Sequence, residues 1–258
     1  MATVTKENYF DSIIMGEYWS VSQFKAFDNC EAAGLAQVRG EYEPEETTSL
    51  LVGSYVDAFF SGEMSMFYGK HPDVFNTRTG ELKAPFRQAD DIIDRIKSDS
   101  LMVEYLTGEP QVIRTGELFG VPWKIKIDAL HPDKIVDLKV VKDFADIYKD
   151  GFGKIPFIQF WGYDVQGAIY QKIEQISSGR TEPLPFYIVA ATKEKDPDIC
   201  VYQLPQWVLD SALKKVEAKI DRFDLIKRAE VEPIRCGCCP YCRRTKRLTG
   251  PVVYDPTV

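Results

Sequence analysis

Nowhere in this 258-residue chain does an apolar run approach the ~18 residues that a membrane-spanning helix requires. The opening stretch, Met1 to Phe10, is polar where a secretory leader would be apolar. A cytoplasmic protein without membrane contact is therefore expected. Internal repeats and low-complexity tracts are also missing, which excludes solenoids and disordered linkers. Positive charge is not in excess: the formal net charge is −7 and the pI about 5.1. That balance argues against a passive nucleic-acid coat, which is usually basic. It leaves room for an enzyme that needs acidic metal ligands and only local basic patches. With 45% hydrophobic residues the chain can bury a sizeable core, as one large domain or two small ones.

Read in order, residues 1–18 form a loose lead-in. One helix is expected from Ser20 through Val38, with Ser20 or Ser22 as N-cap, Phe24, Phe27, Leu35 and Val38 buried, and Cys30 inside it. A second helix over 47–61 has Leu50, Leu51, Ser54, Tyr55, Ala58 and Phe59 as its apolar stripe, with Asp57 at the polar edge. Residues 62–85 read as a long loop and 86–106 as a third helix. A strand over 111–119 follows, with Glu117 near its end. After a mixed connection over 141–156 come a helix over 157–177, strands over 185–192 and 199–204, and a helix over 205–230. This order predicts an α+β chain with a mixed sheet flanked by helices.

Between the first strand and the mixed connection lies a hairpin, Val121 to Val140. Val121, Trp123, Ile125, Ile127 and Ala129 share one strand face, and Lys124, Lys126 and Asp128 the other. In the second strand Val136, Leu138 and Val140 are apolar, while Asp137 and Lys139 point the other way. A turn at 131–134 sets Leu130 against Ile135 and so Asp128 against Asp137. Opposed β-carbons lie about 4.5–5.5 Å apart, and two like charges at that distance are unfavourable without a cation between them. Oxygen ligands suit Mg²⁺ or Mn²⁺. An isolated Asp-x-Lys would be a solvated strand face; two facing carboxylates beside Lys139 are the ingredients of metal-dependent phosphodiester hydrolysis.

Asp128, then Val136-Asp-Leu-Lys139, then Gln166-x-x-x-Tyr170 resembles the motif set of the PD-(D/E)XK nucleases in their RecB-like form. Ser20-Val-Ser-Gln-Phe-Lys-Ala-Phe-x-x-Cys30 and Gly53-Ser-Tyr-Val-Asp57 extend the match, and the chain over roughly 18–247 looks like the phage-borne exodeoxyribonuclease VIII type. The resemblance implies a restriction-endonuclease-like sheet, with residues 1–258 as one nuclease domain: a mainly helical 1–109, a catalytic 110–230 and a cysteine-rich 231–258. It implies Asp128 and Asp137 as metal ligands, the Leu138 carbonyl as a further ligand, Lys139 as the catalytic lysine, and Gln166 and Tyr170 as DNA contacts. Glu117 and Asp57 both stand as candidates for a third carboxylate; where many relatives have histidine this chain has Asp57. The expected activity is a DNA exonuclease on double-stranded ends, with an endonuclease or a non-catalytic DNA-binding module as alternatives. A single-strand annealing recombinase and a ring-shaped homo-oligomer are further expectations of the resemblance.

Cysteines are few elsewhere, but four of the six crowd into Cys236-Gly-Cys-Cys-Pro-Tyr-Cys242. In a reducing compartment disulfides are unlikely to persist, and this spacing points to metal. Cys236, Cys239 and Cys242 are one short of a closed tetrahedral site. Cys30 could supply the fourth ligand, with Cys238 as the local alternative. Zn²⁺ or an iron–sulfur cluster would suit four thiolates, and some relatives pin a 4Fe–4S cluster with one early and three late cysteines. Cys200, in a strand, reads as an inert core residue. Arg235, Arg243, Arg244, Lys246 and Arg247 surround the tail as a basic patch able to contact phosphate.

Overall fold

In the computed structural model, which describes residues 2–251 and 253, the chain begins with helix α1 (Ser12–Glu17) and then turns through α2 (Val21–Asn29) and α3 (Glu31–Val38). The single helix expected over 20–38 is thus two. Cys30 is extended between them (φ −166°, ψ 110°). Gly34 permits the corner, because a Cβ there would lie 2.5 Å from Phe27 Cδ2 and 2.8 Å from its backbone nitrogen. Ser20 caps α2 by accepting the Gln23 N–H at 3.3 Å.

Next come α4 (Thr48–Phe60), α5 (Met64–Lys70), α6 (Ala84–Lys97) and α7 (Ser100–Leu106). The expected loop over 62–85 therefore contains a helix, and the expected helix over 86–106 breaks where Asp99 caps α7 by accepting from the Leu101 and Met102 N–H groups. The α4 stripe also differs: Leu50 and Phe59 are exposed, and Val52 and Val56 take the buried places beside Leu51 and Tyr55.

The sheet is built from β1 (Glu109–Leu118), β2 (Val121–Leu130), β3 (Ile135–Val141), β6 (Phe186–Thr192) and β7 (Ile199–Gln203), in the spatial order β1-β2-β3-β6-β7. Between β3 and β6 run a small hairpin of β4 (Ile147–Lys149) and β5 (Gly153–Ile155), then α8 (Phe157–Phe160) and α9 (Tyr163–Ser178). All neighbours are antiparallel except β3 and β6, which are parallel and so need this long crossover. The chain closes with α10 (Gln206–Lys227) and the short α11 (Pro240–Arg244). This is a mixed α+β fold, a five-stranded mixed sheet flanked by helices, as expected.

Helices cover both faces of the sheet. On one face Trp19, Phe24, Phe27, Trp123, Ile125, Ile127, Phe186, Ile188, Ile220 and Phe223 form one core. On the other, Val52, Val56, Ile92, Ile96, Val136, Leu138 and Val189 form a second. Reading the hairpin as one apolar side and one polar side was too simple: the apolar residues of β2 and β3 point into different cores, as befits a central strand buried on both faces. Lys124, on the nominally polar side of β2, is fully buried and donates to the Tyr9 carbonyl. The lead-in is likewise ordered, since Trp19 exchanges backbone hydrogen bonds with β2, donating to the Pro122 carbonyl and accepting the Lys124 N–H, both at 2.8 Å.

Candidate functional site

The ladder between β2 and β3 holds only at Ala129–Val136 and Leu130–Ile135, beside the turn. Beyond those pairs the strands separate. Asp128 does not sit in a ladder with Asp137. Its Oδ2 instead accepts the Leu138 N–H at 2.9 Å, a side chain standing where a backbone carbonyl would otherwise be. On its other edge β2 is interrupted too, because Gln111, across from Asp128 on β1, takes no part in the pairing and has φ +54°. Irregularities of this kind re-aim side chains next to functional sites. The N–H and C=O of one strand residue face the same neighbour, so the Leu138 carbonyl also turns toward the gap.

Into this gap the flanking elements bring their polar groups. From β3, Asp137 Oδ2 meets Lys139 Nζ at 2.5 Å, with Asp137 almost fully buried. From α9, Gln166 Nε2 donates to Asp137 Oδ1 at 2.6 Å. One turn on, Tyr170 lies edge-on to Phe186. Asp57 enters from α4, on the far side, and Gln111 Nε2 reaches its Oδ1 at 3.5 Å. Glu117 does not enter. It is exposed and pairs with Pro122, six residues or roughly 20 Å along β2 from Asp128. Of the two candidates for a third carboxylate, the fold brings in Asp57.

The charges show what the gap can hold. Burial, then Asp137, then Asp57 push the Asp128 carboxyl well above the usual carboxylate range. Asp57 is raised by burial, against the pull of Lys126 and Lys139. Burial alone would lower Lys139, but Asp137 and Asp128 hold it above its ordinary value. Asp137 Oδ2 is buried and takes no aligned hydrogen bond. Three carboxylates that face one gap, one of them with an oxygen held only by the Lys139 ammonium, supply the hard oxygen donors that a divalent cation takes.

Four residues beside the gap were not anticipated. Tyr9, from the lead-in, is buried with its ring 4.3 Å from Lys124 Nζ, and its hydroxyl is raised by burial and then by Asp128. Lys25 on α2 is held down to about 8 by burial and by Lys139. Gln111 and Trp161 complete the group. Lys25 lies inside a motif already singled out, but nothing local marks which way it faces; Tyr9 is placed only by long-range contacts with β2.

The cysteines form a second centre. Cys30, Cys236, Cys239 and Cys242 have sulfurs all within 4.8 Å of one another, the one such group of potential metal ligands among the described residues. Cys30 Sγ lies 3.6 Å from Cys242 Sγ, and Cys236 Sγ 3.9 Å from Cys242 Sγ. The N–H groups of Cys239 and Cys242 point at Cys236 Sγ and Cys239 Sγ, at 3.3 and 3.4 Å. Bonds of the first kind, from Cys239 and Cys238, lower the Cys236 thiol to about 6. Cys238 is exposed and outside the four, while Cys200 is half-buried on β7. The basic patch is exposed throughout.

Residues 20–245 match a family described as a PDDEXK-like domain of unknown function. A crystal structure of a putative exonuclease from Eubacterium rectale superimposes with a TM-score of 0.93 and 42% sequence identity, covering 98% of this chain and 97% of that one. None of the curated proteins compared with this chain matches it.

Proposed function

The chain belongs to this PDDEXK-like family, and we propose that it is a metal-dependent deoxyribonuclease that hydrolyses phosphodiester bonds at the ends of double-stranded DNA, in the cytoplasm, the whole chain acting as one nuclease unit. The observation that carries the reading is the gap between β2 and β3, where Asp128, Asp137, Lys139 and Gln166 converge with Asp57. Asp128, Asp137, Asp57 and the Leu138 carbonyl would hold Mg²⁺ or Mn²⁺, which when bound supplies charge to the phosphate and a more acidic water. Lys139 keeps its proton, held by Asp137, and stabilises negative charge developing on the phosphoryl oxygens. Gln166 fixes the Asp137 carboxylate so that its other oxygen stays turned toward Lys139. Gln166 lines the cavity, and Tyr170, one turn on, backs it against Phe186. Preference for ends is supported by the exonuclease description of the Eubacterium rectale protein.

Linear duplex labelled at one end is the direct test. Mg²⁺-dependent release of label is expected from the native protein and not from D137N or K139A, with closed circular DNA left intact. Digestion by both variants would overturn the assignment, and equal cutting of closed circles would turn it into an endonuclease.

The cysteine site suits a single Zn²⁺ better than an iron–sulfur cube. A tetrahedral thiolate site with bonds of about 2.3 Å has sulfur–sulfur edges of about 3.8 Å, close to the 3.6 and 3.9 Å found. In a cube each thiolate holds a different iron, which spreads the sulfurs farther apart.

A further inference from the structure

Two cavities meet beside the candidate active site. The first, about 450 Å³, is lined by Asp57, Asp128, Lys139 and Gln166. The second, about 850 Å³, is lined by Asn29, Tyr148, Gln159 and Lys215. Lys25 and Trp161 line both. They form the saddle over which anything extending from one cavity into the other must pass.

Local structure builds that saddle. The helix expected over 157–177 breaks after α8, with Gly162 in the left-handed region (φ +64°). The break leaves Trp161 48% exposed. It also brings the stem of Lys25 against Gly162, where an added Cβ would lie 3.4 Å from Lys25 Cε. Lys25 Nζ lies over the Tyr163 ring at 5.6 Å, the ring over which Lys139 Nζ also lies, at 5.2 Å from its centroid. Lys139 has its carboxylate; Lys25 has no ion pair or hydrogen bond among the described residues. A half-buried ammonium without an anion, next to an open cavity, suits an anionic ligand.

Resting on the nuclease reading above, we propose that Lys25 anchors a backbone phosphate next to the scissile one and, with Trp161 as a stacking surface, leads the strand from the catalytic cavity into the second one. A lysine stem packed on a glycine can hold one phosphate without reading sequence. An exposed indole can stack on any base. Around the second cavity Lys149 and Lys215 are matched by Asp28, Asp150 and Asp164, with Lys215 paired to Asp164, so Lys25 is the cation left to hold the phosphate.

The test uses the full chain with K25M, which keeps the stem and removes the charge, and K25R, which keeps the charge. Binding of a short linear duplex is measured with Ca²⁺ in place of Mg²⁺ over a range of salt. Initial digestion rates with Mg²⁺ give KM and kcat. K25M should flatten the salt dependence of log K by about 0.7–0.9, one phosphate contact, and raise KM about tenfold with kcat changed less than threefold. K25R should restore both, and W161A should raise KM without altering the salt slope. An unchanged slope and KM in K25M, or a loss confined to kcat, overturns the anchor. If native protein neither binds nor digests DNA, the nuclease reading itself fails. Thermal melting checks folding; should K25M not fold, the same measurements on K25Q decide.

Discussion

Asp128 and Leu138 are joined by a side chain to backbone hydrogen bond at a place where the β2–β3 ladder has already ended. The carboxylate therefore does two jobs: it closes the gap structurally and presents charge within it. D128N should separate them. Its amide oxygen can still accept the Leu138 N–H, while the repulsion with Asp137 and Asp57 is gone. Metal-free D128N is expected to melt no lower than the native protein, yet Mg²⁺-dependent digestion should fall by about 10²-fold or more. Undiminished digestion would remove Asp128 from the metal site.

The raised carboxyls also predict a pH signature. Because burial lifts Asp128 and Asp57, the folded, metal-free protein holds protons that the unfolded chain has already released. Stability then falls as pH rises from the ordinary carboxylate value of 3.8 through the raised folded values. Metal must displace the same protons, so apparent Mg²⁺ affinity should tighten over that window and then level off. Melting curves in chelator, and half-saturating Mg²⁺ at several pH values, measure the two arms. A D128N protein whose curves match the native ones would contradict both.

The candidate third carboxylates make opposite predictions. D57A should raise the Mg²⁺ needed for half-maximal activity about tenfold or more, since it strips a half-buried oxygen donor from the gap. E117A should be silent, because its side chain is exposed and far along β1. A metal titration of the two variants decides between them.

How much of this was written locally depends on the residue. Alternation in Val121 to Val140 is strong enough to place the hairpin, its turn and the Asp137–Lys139 pair, since both β3 faces carry a period of two. Gln166 and Tyr170 follow from helical spacing. The splay of β2 from β3 has no local signature, since the alternating pattern runs unbroken through the point where the ladder ends. The break at Cys30 comes without a proline or a neighbouring glycine and is set by Gly34 packing on Phe27. Tyr9 and Lys124 hold each other across 115 positions, so the lead-in looked featureless and Lys124 looked solvated. Helical spacing puts Leu50 in the core, yet it lines the cavity beside Asp57 and Asp128 instead.

For the cysteines, purified protein is expected to contain about one zinc per chain and no iron, by elemental analysis. C30A should lose the metal and be destabilised, with about 5 kcal/mol as the upper limit for a cross-link spanning 212 positions. C238A should keep the metal. A brown, iron-containing protein would replace zinc with a cluster.

Closing Cys30 onto Cys242 has a mechanical side as well. With metal bound, a load drawn through those two points runs along two metal–sulfur bonds and bypasses everything between them, including the strands that hold Asp128 and Asp137. Pulled from its ends, the molecule should first lose α1 and then, at higher force, α2 as Trp19, Phe24 and Phe27 leave the core, and then resist until the thiolate site ruptures. Asp128, Asp137 and Lys139 would be the last part of the gap to feel the strain, after Tyr9 and Lys25 had been drawn away.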